Sequence, residues 1–154
     1  KDVIEAIINA EIPVMGHLGL TPQSKNVMGG YKVQGKTLDM ATQLLEEAVL
    51  LDSIGCFSMV LEGVPSVVAE VITEKITIPT IGIGASSKCD GQILVTEDMV
   101  GLTDISPKFV KQYINIGELI KDAAVQYRKE VISREFPTKN HVYGMTPTIV
   151  KKEK

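Results

Sequence analysis

The stretch "FSMVLEGVPSVVAEVITEKITIPTIGIG", Phe57 to Gly84, decides the fold class. "FSMVLE" (Phe57–Glu62) and "IPTIGIG" (Ile78–Gly84) are short apolar runs of the kind that form buried parallel strands. Between them "PSVVAEVITEKI" opens on Pro65 at a tolerated first-turn position and has the look of a helix. A strand, a helix and a strand with no hairpin signal make a crossover unit, and therefore a parallel sheet.

The pattern continues on both sides. Upstream, "DVIEAIINAE" resembles the end of a helix and "IPVMGH" (Ile12–His17) a strand. "TLDMATQLLEEAVLLDSIG" is a helix capped by Thr37 and stopped near Gly55. Downstream, "QILV" (Gln92–Val95) is a fourth strand, "PKFVKQY" and "GELIKDAAVQYRKEVISREF" are helices, and residues 137–154 form a polar, Pro-containing tail. Two architectures fit: an open doubly wound sheet, or about half of a (βα)8 barrel, which typically needs ~250 residues. Periodicity does not separate them.

Composition narrows the function classes. With 154 residues, 44% apolar and 23% charged, the chain has the balance of one globular domain. A net charge of -3 leaves no broad basic surface for nucleic acid or an anionic membrane. No apolar run approaches the roughly 20 residues a bilayer span needs, and no charged-then-apolar leader opens the sequence. Cys56 and Cys89 are too few for a disulfide scaffold and suit a reducing compartment.

Two glycine-rich strings suggest nucleotide sites and fail on context. "GGYKVQGKT" (Gly29–Thr37) contains G-x-x-x-x-G-K-T, but a P-loop needs a buried strand running straight into its first glycine. Here "LGLTPQSKNVMG" separates the string from the nearest strand. "GIGASS" (Gly82–Ser87) starts like a dinucleotide fingerprint but lacks its last small residue and runs into "KCDGQ" instead of a helix. The more informative residues are His17 and Glu62, polar side chains at the C-terminal ends of apolar runs, where parallel α/β proteins gather their active sites. A carboxylate with an apolar approach is suited to carrying a proton. On spacing alone the bland reading is the commoner one for each: a solvated strand-end carboxylate for Glu62 and a hydrogen-bonded structural imidazole for His17.

Six motifs in order, "VMGHLGLTPQS", "GGYKVQGKT", "MVLEGVP", "IPTIGIGAS", "CDGQILV" and "PKFVKQY", resemble the ketopantoate hydroxymethyltransferase family over about residues 1–137. The resemblance implies a (βα)8 barrel of the phosphoenolpyruvate-mutase and isocitrate-lyase type. It implies that residues 1–136 are the C-terminal half of such a barrel, and that the P-loop-like string is a long loop with no ATP site. The implied reaction transfers a one-carbon unit from 5,10-methylenetetrahydrofolate to 3-methyl-2-oxobutanoate, with magnesium holding the oxo acid. The product is 2-dehydropantoate, on the route to pantothenate and coenzyme A. By residue-wise match Glu62 is the proton acceptor and His17 lies against the substrate. Magnesium carboxylates belong to motifs expected upstream of Lys1, and "GIGAS" stands where the family often has "GIGAG". The resemblance further implies a homo-oligomer as the intact enzyme, small-molecule partners with no nucleic acid or membrane, and the cytoplasm or alternatively the mitochondrion. The loop from Leu18 to Lys36 is expected to cover the strand ends, with Tyr31 and Lys32 at its working surface. The competing function class is a non-catalytic barrel remnant that binds a partner.

Overall fold

Leu44, Ala48 and Leu51 recur at spacings of three and four, so a helix through them presents one apolar stripe. In the computed structural model, which describes residues 1–21, 33–103 and 107–144, that stripe is buried. The elements in chain order are α1 (Asp2–Asn9), β1 (Met15–Gly19), α2 (Leu38–Ser53), β2 (Ser58–Glu62), α3 (Ser66–Lys75), β3 (Thr80–Ile83), β4 (Gly91–Gln92), α4 (Thr96–Met99) and α5 (Ile116–Ser133). A 3₁₀ turn at Lys139–His141 follows.

The strands pair in the order β1-β2-β3-β4, every pair parallel. The protein is therefore an α/β structure built on a parallel four-stranded sheet. Register assigns its faces, because bonded neighbours share a side and successive residues alternate. Gly16, Met59 and Thr80 are in register, as are Leu18, Leu61 and Gly82, and all six lie on one face. Against that face pack Leu44, Ala48 and Leu51 of α2 and Ala69 and Ile72 of α3. Met59 and Leu61 are each 0% exposed and contribute roughly 1.5–3 kcal/mol apiece by burial. The second face carries Met15, His17, Val60, Glu62, Ile81 and Ile83, and neither α2 nor α3 covers it.

The crossover from β3 to β4 is unusual. Parallel strands normally need a connection of about a dozen residues or more, commonly a helix. Here residues 84–90 suffice. The loop itself serves as the covering layer, with Ser86 and Cys89 buried. Ser86 Oγ donates to Glu70 Oε1 of α3 at 2.8 Å, and Gln92 Nε2 donates to the Ser86 carbonyl at 2.8 Å. At its far end Asp90 Oδ2 accepts from Thr80 N at 2.8 Å and Thr80 Oγ1 at 3.1 Å. Those two donors, the backbone N–H first, hold the Asp90 carboxyl below its ordinary range.

Several sequence expectations need correction. Ile12–Val14 stand outside β1, since Pro13 has no N–H to offer a ladder; the first bond is Phe57 N to the Val14 carbonyl. The strand runs two residues beyond His17. Its fourth counterpart is only Gly91–Gln92, and Ile93–Val95 leave the sheet after Ile93 N bonds the Gly82 carbonyl. "PKFVKQY" is no helix: after one turn, Val110 N to Pro107 O, the chain pairs back on α4 through Tyr113 N to Met99 O. Tertiary pairing there overrides helical periodicity. Thr37 does cap α2, its side chain accepting from Met40 N. Cys56 and Cys89 are both free and buried, and burial pushes the Cys56 thiol above its ordinary range.

Candidate active site

Glu62 is the last residue of β2, and the backbone around it is pinned on both sides. Leu20 N donates to the Glu62 carbonyl at 2.8 Å, Gly63 N to Ile83 O at 2.9 Å, and Gln34 N to Gly63 O at 2.9 Å. The ends of β1, β2 and β3 are thus stitched together with the chain arriving at α2. Gly19 and Gly63 take positive φ values, +92° and +57°, which let these crossings approach closely.

His17 lies two residues before Gly19, the register partner of Glu62, so the two side chains share, on a diagonal, the face turned away from α2 and α3. His17 Nε2 comes within 3.1 Å of Glu62 Oε2. Glu62 is the more enclosed, 13% exposed against 36% for His17. The carboxylate has the apolar Val60 and Ile81 below it on the same face and Ile83 beside it. With His17 neutral the contact is a polar one, and with His17 protonated it is an ion pair. Either way, Glu62 is a largely enclosed carboxylate beside an imidazole.

The two residues singled out in the sequence are therefore brought together. Their contact depends on register, which neither motif contains. A cavity of about 250 Å³ opens beside β1, lined in part by His17, Thr21, Gln34, Met40, Gln43 and Glu47. Gln43 Nε2 donates to Glu47 Oε1 one helical turn along α2 at 2.8 Å. Neither residue was anticipated, although their i, i+4 spacing was visible. Of the P-loop-like string, Gly35 and Lys36 precede the Thr37 cap, while the expected positions of Tyr31 and Lys32 lie outside the described residues. Among the described residues no group of three or more His, Cys, Asp or Glu side chains could hold a metal ion. Nor is any described helix long and apolar enough to cross a membrane.

The six ordered motifs agree with a comparison against protein families: the model of the ketopantoate hydroxymethyltransferase family matches residues 1–139. The chain belongs to this family. Relatives named 3-methyl-2-oxobutanoate hydroxymethyltransferase are similar along nearly all of it. That of Clostridioides difficile (strain 630) is 55% identical over 150 residues, 97% of this chain and 54% of that protein. That of Clostridium beijerinckii is 54% identical over the same span, and that of Syntrophobacter fumaroxidans 53% identical, again covering 97% of this chain and 53% of the relative. The chain thus spans about half the length of the curated relatives it matches. These relatives are transferases by name.

Proposed function

We propose that the chain carries the proton-accepting half of a 3-methyl-2-oxobutanoate hydroxymethyltransferase. The observation that carries this reading is the enclosed Glu62 carboxylate at the C-terminal end of a parallel strand, 3.1 Å from His17. In this reading the four strands are consecutive staves of a (βα)8 barrel of the phosphoenolpyruvate-mutase type. Two features support it: α2 and α3 pack on one face only, and the other face carries His17 and Glu62. A barrel has helices outside and functional residues at the C-terminal strand ends.

Glu62 takes the proton from C3 of the oxo acid, and the C–H electron pair becomes the enolate whose C3 attacks the one-carbon unit of 5,10-methylenetetrahydrofolate; water supplies the oxygen of the new hydroxymethyl group, the two carbon–nitrogen bonds to the folate break, and tetrahydrofolate leaves with the nitrogen protons restored. His17 borders the oxo acid and holds Glu62 in its working position. The half-buried apolar residues Val60 and Ile81 receive the methyl groups on C3. Magnesium is implied by the family, but the described residues do not fit it, since no cluster of ligating side chains is among them. No step here runs through it. A homo-oligomer in the cytoplasm belongs to the same proposal.

The test is a graft, in which this chain replaces the matching 150 residues of the Clostridioides difficile relative. Formation of 2-dehydropantoate from the two substrates by the soluble graft supports the reading. A folded graft with no turnover overturns it.

A further inference from the structure

The rung of the sheet that holds His17 crosses all four strands. Val60 is the register partner of His17, Ile81 that of Val60, and Gly91 that of Ile81. Bonded neighbours share a side, so the four lie on the face of Glu62, one same-face rung below Gly19, Glu62 and Ile83. One end of the rung touches the carboxylate, His17 Nε2 being 3.1 Å from Glu62 Oε2. The middle, Val60 and Ile81, is apolar and half-buried, and the far end has no side chain.

Ile81 makes use of that missing side chain. A Cβ built on Gly91 would lie 3.0 Å from Ile81 Cδ1, closer than the about 3.5–4.0 Å at which carbon atoms pack best. The tip of Ile81 therefore leans towards β4, over the glycine, and away from β2. The space over Val60, between Ile81 and His17, is bounded on that side by Ile81. The branched Cβ makes χ1 stiff, so Cδ1 is the part of the side chain that can move. A methyl group at position 91 would turn it back towards Val60 and narrow the space beneath the carboxylate.

The geometry points to Ile81 as a specificity-determining residue, with Gly91 as the gap that sets its position; together they fix the size of the branch on C3 of the 2-oxo acid that fits beside Glu62. This inference rests on the proposed function and deepens it from a reaction to a size limit on the substrate.

The experiment uses the graft with Ile81→Val, with Gly91→Ala and with both. Each is assayed for kcat/KM on 2-oxobutanoate, which has one methyl on C3, on 3-methyl-2-oxobutanoate, which has two, and on 3-methyl-2-oxopentanoate, in which one of the two is lengthened by a methylene. Ile81→Val removes Cδ1 alone and keeps the branched shape. One methylene in an apolar pocket is worth about 10–200-fold, so preference for the longest acid over 3-methyl-2-oxobutanoate should rise by at least about tenfold. Gly91→Ala should lower that preference and raise the preference for 2-oxobutanoate over 3-methyl-2-oxobutanoate. In the double variant the alanine methyl takes the place of the missing Cδ1, and both preferences should return towards those of the unsubstituted graft. Two residues that merely pack would weaken all three reactions together. Preferences that stay put in either single variant, or move the same way in both, would overturn the inference. If Gly91→Ala does not fold, Ile81→Val and Ile81→Ala decide, because preference for the longest acid must rise in both. An inactive unsubstituted graft refutes the function and this inference with it, whereas an active one whose variants keep its preferences refutes the inference alone.

Discussion

A methyl group added at Gly19 probes the setting of Glu62 through its backbone. Gly19 closes β1 at φ +92°, outside the region where alanine is comfortable, and that conformation costs about 1–3 kcal/mol for a residue with a Cβ. The added Cβ would also run into the Glu62 carbonyl oxygen and come within 2.6 Å of Val64 Cγ2. Val64 is 2% exposed and Glu62 O is backbone, bonded to Leu20 N, so neither can yield cheaply. Relief requires the ends of β1 and β2 to separate, which costs the Leu20 bond, about 1 kcal/mol, in addition to the strain. The total expected for Gly19→Ala is roughly 2–4 kcal/mol, a large fraction of an ordinary domain's stability. Function should fall further than stability, because a shift of ~1 Å in a reacting group can cost 10²-fold in rate. Urea unfolding of the graft gives the first quantity. Exchange of the C3 proton of 3-methyl-2-oxobutanoate, under conditions where the variant is still folded, gives the second. A variant with unchanged midpoint and unchanged exchange would refute the close crossing of β1 over Glu62.

The Asp90 clasp predicts a pH-dependent loss. Asp90→Ala leaves the N–H of Thr80, a residue 0% exposed, without its partner and should cost about 1–3 kcal/mol; Asp90→Asn, at an exposed side chain, should cost about 1 kcal/mol. Because the Asp90 carboxyl is held below its ordinary range, its advantage over asparagine is complete above that range and vanishes as pH falls through the lowered value. Urea midpoints of the two proteins should therefore differ at neutral pH and converge in acid; a gap that widens on acidification would contradict this. For His17→Ala, KM for the oxo acid should rise about 10–100-fold, by more than kcat falls, if the imidazole borders the substrate. An unchanged KM with a reduced kcat would confine His17 to its contact with Glu62.

Much of the sheet was legible because β2 and β3 carry continuous apolar runs and no residue of either is exposed, so Ser58–Glu62 and Thr80–Ile83 fell inside the expected strands. Thr37 and Gly55 marked α2 by ordinary cap chemistry. The fourth strand was misplaced because "QILV" has the right composition, yet the ladder there is set by the seven-residue loop and its Asp90–Thr80 anchor, which brings Gly91 against Ile81. "PKFVKQY" misled for the complementary reason: its apolar residues face Gly84 and α4, partners distant in sequence. At the site, residue type and strand-end position pointed to His17 and Glu62 separately. Their approach to 3.1 Å is a consequence of parallel register, and the role of Gly19 is a consequence of the same crossing.

The central claim is that Glu62 is the base, and proton exchange isolates it from one-carbon transfer. Glu62→Gln keeps the shape of the side chain and removes its negative charge. The measurement is incorporation of deuterium at C3 of 3-methyl-2-oxobutanoate by the graft in deuterated water, with magnesium present and folate omitted. A general base contributes typically 10²–10⁴-fold, so exchange by the Glu62→Gln graft should fall by roughly that factor relative to the unsubstituted graft. Exchange at the unsubstituted rate would remove Glu62 from the role and contradict the account.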